Sequence, residues 1–253
     1  SSTLTVKSGT IIIDTDRESC VFARGGGKIV ITGGTFINNC TSEYAYGEGK
    51  PLTVNIENNS TSTIDITGGT FKGRNPMSGD DNTDVAFVSK DSKVVEYKSG
   101  NMTVVGKDTE VTGEDIVAVY TYADNEAGDT VATVYTEDTL RAALAEKKIG
   151  KIVIGADFEI SGNRIEIGDI NDPNAATRSI TLDLNGHTLK IGTIRVSDTD
   201  SSANTAALYL GYNVSLTLTD TVGTGTIDAS GANDLTVPIG AMRSGSTLTV
   251  ESG

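Results

Sequence analysis

The chain has 253 residues, with 34 acidic against 20 basic side chains and a net charge of −14. That balance excludes nucleic acid and anionic membrane as partners, since both are held by clustered Lys and Arg. With 37% hydrophobic and 5% aromatic residues, no Trp, 29 Gly and abundant Thr, there is too much β-branched residue for disorder and too much Gly for helix. No apolar run approaches the ~18 residues of a spanning helix, so membrane insertion is not expected. Ser1 to Asp14 lacks the basic-then-apolar layout of a signal peptide.

The first element along the chain is Leu4-Thr-Val-Lys-Ser-Gly-Thr-Ile11, a loose form of the hexapeptide repeat that comes after it. Ile31-Thr-Gly-Gly-Thr-Phe36 returns intact as Ile66-Thr-Gly-Gly-Thr-Phe71. Apolar and polar residues alternate along these runs, the period-2 signature of a strand with one face inward. The spacing predicts one inward stack of Leu4, Ile29 and Ile64 and another of Phe36 and Phe71. Gly33-Gly34 and Gly68-Gly69 mark a corner where positive φ is tolerated by Gly alone. A second recurring segment, Val21-Phe-Ala-Arg-Gly25, Glu43-Tyr-Ala-Tyr-Gly47 and Ala207-Leu-Tyr-Leu-Gly211, reads as a further wall. Tyr44 and Tyr46 project on one side of theirs, where they can stack on a sugar or fill a corner of the coil.

Asp14, Asp16 and Glu18 would share one face of a strand, which makes them the candidate Ca²⁺ ligands against a plain reading as a solvated loop. Cys20 and Cys40 lack the spacing of a metal site or redox pair. Two readings stay open for them, a disulfide between neighbouring turns or two buried thiols.

Residues 85–135 break the pattern. Val85 to Val88, Val94 to Tyr97 and Met102 to Val105 are short strands joined by plausible turns, with further strand candidates at Asp115 to Tyr122 and Thr130 to Tyr135. A helix is expected over Thr139 to Lys147, capped by Asp138 or Thr139, with Leu140, Ala143 and Leu144 as its apolar stripe. Beyond it the runs resume at Ile152, Leu182, Leu216 and Leu248, 30 to 34 residues apart. Such spacing is too wide for hairpins and suits a solenoid whose coils each contribute several short strands.

The Ile-Thr-Gly-Gly-Thr-Phe element, Ile180-Thr-Leu-Asp-Leu-Asn-Gly-His-Thr-Leu189 and Leu216-Thr-Leu-Thr-Asp220 resemble the pectate-lyase-like right-handed parallel β-helix. More narrowly they resemble the β-helix repeats of large adhesin-like surface proteins from gut Gram-positive bacteria. The likeness covers roughly 1–73 and 138–253. It implies an all-β fold of right-handed parallel β-helix coils, with a small antiparallel β linker and one short capping helix. The expected organisation is 1–73 as the C-terminal coils of one β-helix, 74–137 as a tail or linker, and 138–253 as helix and N-terminal coils of the next. Ser1 to Gly9 matches Gly245 to Gly253 at seven of nine positions. Either this is the generic coil or the chain is cut from a tandem array. In both cases the end coils are expected to stack on another copy or continue into a neighbouring repeat.

Catalytic signatures are fragmentary. Asn82-Thr-Asp84, Asp80-Asp81, Gly186-His187 and Arg164-Ile165 echo the polygalacturonase motifs but fall in the wrong order or context, and glycoside hydrolysis needs carboxylates facing each other across a sugar. Asp80, Asn82 and Asp84 imitate a calcium loop, but Val85 stands where Gly is needed. His187, the only histidine, reads as a turn residue. No catalytic residue and no cofactor is therefore assigned, with Ca²⁺ at Asp14, Asp16 and Glu18 as the one metal considered. The expected protein is a non-catalytic, secreted or cell-wall-attached region acting as adhesin or rigid stalk, its partners a host or plant glycan or a surface protein. The competing class is a Ca²⁺-dependent polysaccharide lyase or glycoside hydrolase of the same fold.

Overall fold

The computed structural model describes residues 2–14, 19–40, 51–57, 61–78, 87–123, 130–195, 205–233, 236–241 and 243–251. The chain forms two compact units, Ser1–Tyr122 and Ala123–Gly253, and is mostly β-strand with one α-helix among the described residues.

The first unit begins with β1 (Thr3–Val6), β2 (Thr10–Ile13), β3 (Val21–Ala23), β4 (Lys28–Asn38), β5 (Val54–Ile56) and β6 (Thr63–Lys72). All their pairings are parallel: β1 and β2 both pair with β4, β4 with β6, and β3 with β5. Leu4, Ile29 and Ile64 stand in register as the repeats predict, but only Ile29 and Ile64 are buried, Leu4 being 49% exposed on β1; Ile11, Phe36 and Phe71 form the second column. In-register stacking follows from the alternation, since a one-residue slip would turn every apolar side chain outward. Val21–Ala23 forms a strand of a second wall, paired with Val54–Ile56. Glu43 to Gly47 lie outside the described residues.

The double glycines divide two tasks. Gly34 and Gly69 have φ of 101° and 111°. Gly33 and Gly68 are needed for close approach instead, because a Cβ on Gly68 would lie 2.5 Å from the Thr32 carbonyl and one on Gly33 would strike the Lys7 carbonyl. The strands run through both corners without a break, with a shift of register at Thr32.

Three antiparallel strands complete this unit: β7 (Ser92–Tyr97), β8 (Asn101–Gly106) and β9 (Ile116–Tyr122). β8 pairs with the outer half of β6, setting Met102 opposite Phe71, and β7 pairs with both β8 and β9. Of Val85 to Val88 only Phe87 and Val88 are among the described residues, and Val88 makes a single parallel bridge to Ile66.

The second unit comprises β10 (Thr130–Val134), α1 (Glu137–Ala145), β11 (Ile149–Ile154), β12 (Phe158–Asn163), β13 (Ile165–Ile167), β14 (Arg178–Asp183), β15 (Thr188–Arg195), β16 (Thr205–Leu210), β17 (Val214–Thr219), β18 (Thr226–Asp228), β19 (Thr236–Ala241) and β20 (Thr247–Val250). Its strands sort into three parallel ladders, β10-β11-β14-β17-β20, β12-β15-β18 and β13-β16-β19. Each passage of the chain thus adds one strand to each ladder in turn. Ile152, Ile154, Leu182, Ile160, Ile167 and Leu189 point inward and are fully buried.

Two details differ from the sequence expectation. Leu182 faces Leu218, while Leu216 faces Ile180. The slip is two residues, which preserves inside and outside and so leaves the alternation unchanged. The helix starts earlier than expected: Thr136 is its N-cap, its hydroxyl accepting from the Thr139 N–H while Thr139 Oγ1 accepts from the Thr136 N–H. Glu137 and Asp138 occupy the first turn, where acidic groups suit the helix dipole. Leu140, Ala143 and Leu144 are buried, as the stripe predicts.

Candidate ligand-binding surfaces

Of the residues singled out in the sequence, Asp14 is exposed and its Oδ1 accepts from Asn39 Nδ2 at 2.8 Å. Asp16, Glu18, Tyr44 and Tyr46 lie outside the described residues, as do Asp80 to Asp84. Among the described residues no group of three His, Cys, Asp or Glu is placed to hold a metal ion. Of the three carboxylates expected to hold Ca²⁺, only Asp14 falls within the described residues. Among the described residues no helix is long and apolar enough to cross a membrane.

Cys20 and Cys40 are not joined by a disulfide. The Cys20 thiol donates to the Ile37 carbonyl at 3.4 Å, and burial pushes it up to about 11. It is a structural thiol, protonated at neutral pH.

The carboxylates of the second unit serve the turns. Asp183, 2% exposed, accepts from the Thr221 and Asn185 N–H groups, both at 3.0 Å, and from the Lys151 ammonium at 2.9 Å. Burial works against its charge, yet the Thr221 N–H, Lys151 and the Asn185 N–H outweigh it and hold the carboxyl below the ordinary carboxylate range. Asp220 receives the Gly186 N–H at 2.7 Å and the Gly225 N–H at 2.5 Å. Asp157 receives the Thr188 N–H at 2.9 Å and lies 3.2 Å from His187 Nδ1, so the lone histidine is a turn residue. Each of these three carboxyls is held below the ordinary carboxylate range by hydrogen bonds, opposite to what a general acid requires.

Two shallow grooves and one cluster of arginine and tyrosine side chains are the other features of the described surface. The outer face of β11, β14 and β17 carries hydroxyl rows, with Thr181 beside Thr217 and Ser179 beside Ser215. A shallow groove of about 500 Å³ runs along it, bordered by Lys147, Lys148 and Arg178. In the first unit a second groove of about 550 Å³ is lined by Tyr97, Asn101, Thr70 and Thr103, with the exposed Lys98–Asp115 pair (3.8 Å) at its rim.

The third surface lies over β13, β16 and β19. Glu166, Tyr209 and Gly240 occupy equivalent positions in that ladder; Glu166 is exposed, while Tyr209, 7% exposed, and Gly240 are buried. The Arg164 guanidinium sits 4.2 Å above the Tyr209 ring and donates Nε (2.9 Å) and Nη2 (2.6 Å) to Glu166 Oε1. Arg243 approaches Tyr209 at 5.8 Å and Tyr212 at 5.7 Å. Its Nε is buried and has no hydrogen-bond partner among the described residues. The members of this cluster come from three separate segments, 164–166, 209–212 and 240–243, and share no motif. Tyr209 lies in the recurring Ala207 to Gly211 segment and Arg164 in the Arg164-Ile165 fragment, but nothing in the sequence links the two.

No curated protein and no solved structure matches the chain. Residues 131–238 match the family model described as "Putative pectate lyase-like adhesive domain". The matched stretch runs from β10 through α1 and the three parallel ladders to β19, and it includes Arg164, Tyr209 and Tyr212.

Proposed function

We propose that the chain is a non-catalytic adhesive region of an extracellular surface protein, built from right-handed β-helix coils and carrying glycan-binding surfaces. The observation that carries this reading is the adhesive-domain match over residues 131–238, the segment in which each passage of the chain feeds three parallel ladders in turn. A stack of this kind is rigid along its length and presents long, flat rows of side chains, which suits a stalk or an adhesive face. The turn carboxylates support the non-catalytic part: Asp157, Asp183 and Asp220 bind backbone N–H groups instead of facing one another across a groove. The hydroxyl rows and the groove beside Tyr97 supply the hydrogen bonds and the ring face by which sugars are held.

The test is retention of the 253-residue chain on immobilised plant uronates, host mucins and glycosaminoglycans, with Ca²⁺ and with chelator. Saturable retention on one of these supports the reading. Passage through all of them would overturn the glycan-binding part of it.

A further inference from the structure

We propose that the open edge of β20 in one copy of the chain is a docking surface for the open edge of β1 in a second copy. The two strands pair in parallel, with Leu248 on Leu4 and Val250 on Val6.

Each ladder grows in chain order, β1 before β4 and β6 in the first unit, and β11, β14, β17, β20 in the second. β1 is thus the first strand of one stack and β20 the last of the other. Among the described residues no strand pairs with the far side of either. Both read Thr-Leu-Thr-Val, and Ser1 to Gly9 agrees with Gly245 to Gly253 at all but two positions. Each edge therefore meets the kind of strand its own ladder already stacks, since Leu216 lies on Leu248 and Leu4 on Ile29.

The backbone groups left open are in phase. Along a parallel strand, successive residues turn their N–H and C=O groups to opposite sides. The Lys28 N–H donates to the Ser2 carbonyl at 2.9 Å, so even-numbered residues of β1 face β4, and Thr3, Thr5 and Lys7 face the open edge. The Glu251 N–H donates to the Leu218 carbonyl at 2.9 Å, so Thr247, Thr249 and Glu251 face β17, and Ser246, Leu248 and Val250 face the open edge. With Leu248 on Leu4, the Leu248 groups meet those of Thr3 and Thr5, and the Val250 groups meet those of Thr5 and Lys7. A one-residue slip would bring together groups that point away from each other.

The side chains agree with that register. Val250 stands in the column of Leu218 yet is 68% exposed, and Leu4 is half-exposed in the column of the buried Ile29. A strand laid on each edge continues the column and removes this apolar surface from water. Lys7 and Glu251, both exposed, come opposite one another as a pair of unlike charges. Neither Thr3–Val6 nor Thr247–Val250 contains the charge or proline that keeps sheet edges apart. The contact is heterologous, so each added copy leaves one β1 edge and one β20 edge open, and association proceeds beyond the dimer.

The experiment follows sedimentation of the 253-residue chain over a range of loading concentration. The samples are the parent, Thr5→Pro, Val250→Pro and an equimolar mixture of these two variants, each variant with its unfolding midpoint recorded. Both prolines remove an N–H that faces the open edge, so the ladders within each copy keep their hydrogen bonds. The parent is expected to rise with concentration past twice the 26.3 kDa of the chain, while each variant alone stays at the chain mass. The mixture is expected to reach twice the chain mass and stop, because only the β20 edge of one variant and the β1 edge of the other remain open. Lys7→Glu keeps the test if a proline variant does not fold. It sets like charges opposite one another and weakens association, and Lys7→Glu combined with Glu251→Lys, at the parent's net charge, restores it. A parent of constant mass at every concentration, a proline variant that associates as the parent does, a mixture that stays at the chain mass, or association indifferent to Lys7→Glu would overturn the docking of β20 on β1.

Discussion

The rings of Phe36 and Phe71 stack with centroids 5.0 Å apart and planes 8° from parallel, both fully buried. They are the last residues of two identical hexapeptides, and the register of β4 on β6 places one over the other. Met102 continues the column from the antiparallel side through its pairing with Phe71. Phe71→Ala would open a cavity touching both neighbours, at a cost of about 3–5 kcal/mol. Phe71→Leu retains most of the volume and should cost less than half as much. Denaturant midpoints of the two variants check the ranking.

The glycine pairs give a sharper contrast. At Gly68 a methyl group meets backbone, which cannot swing aside, so Gly68→Ala should destabilise by about 1–3 kcal/mol. Gly100 has φ of 77°, and a Cβ placed there would meet nothing within 4 Å, so Gly100→Asn, a residue tolerant of that region, should cost less than Gly68→Ala. Equal losses at the two sites, read from denaturant midpoints, would show that the close approach at Thr32 is not a constraint.

Asp183 links stability to pH. Its carboxyl lies lower in the folded chain than its ordinary value, so its contribution is complete above about pH 4 and is lost as pH falls through the folded value. Asp157, Asp169, Asp220 and Asp228 are lowered as well and add to the same trend. Asp183→Asn removes the partner of Lys151 and weakens the acceptor for the Thr221 and Asn185 N–H groups. It should cost about 2 kcal/mol at neutral pH, and the gap from the parent should close in acid. Urea titrations from neutral pH into the acid range measure that gap.

At the thiol, burial predicts inertness. Cys20, pushed up to about 11, should react slowly with iodoacetamide at neutral pH and faster as pH approaches that value. Non-reducing and reducing mass spectra of the intact chain should be identical, and a two-hydrogen difference would reveal a disulfide.

The repeats were legible because each column sets like on like, aliphatic on aliphatic or ring on ring: Ile29 on Ile64, Phe36 on Phe71, Ile152 on Leu182. Alternation fixes which face is buried, but it is blind to a two-residue slip, and hence to Leu182 facing Leu218. The helix stripe of Leu140, Ala143 and Leu144 was readable from its period. Its start was not, because Asp138 and Thr139 are themselves acceptable caps and only the reciprocal bonding of Thr136 and Thr139 chooses between them. The Arg243 surface needed coordinates, since Arg164, Tyr209, Tyr212 and Arg243 meet only once their segments are stacked.

Whether the chain binds glycans without cleaving them is decided by following sugar ends during binding. The 253-residue chain is incubated with the uronates, mucins and glycosaminoglycans that retain it, in Ca²⁺ and in chelator, while new reducing ends and new unsaturated ends are counted. A non-catalytic adhesive region gives retained protein and no increase in either kind of end over the glycan alone. Ends that accumulate with time in Ca²⁺ and cease with chelator would contradict that role, and would make Asp14, Asp16 and Glu18 the first residues to substitute.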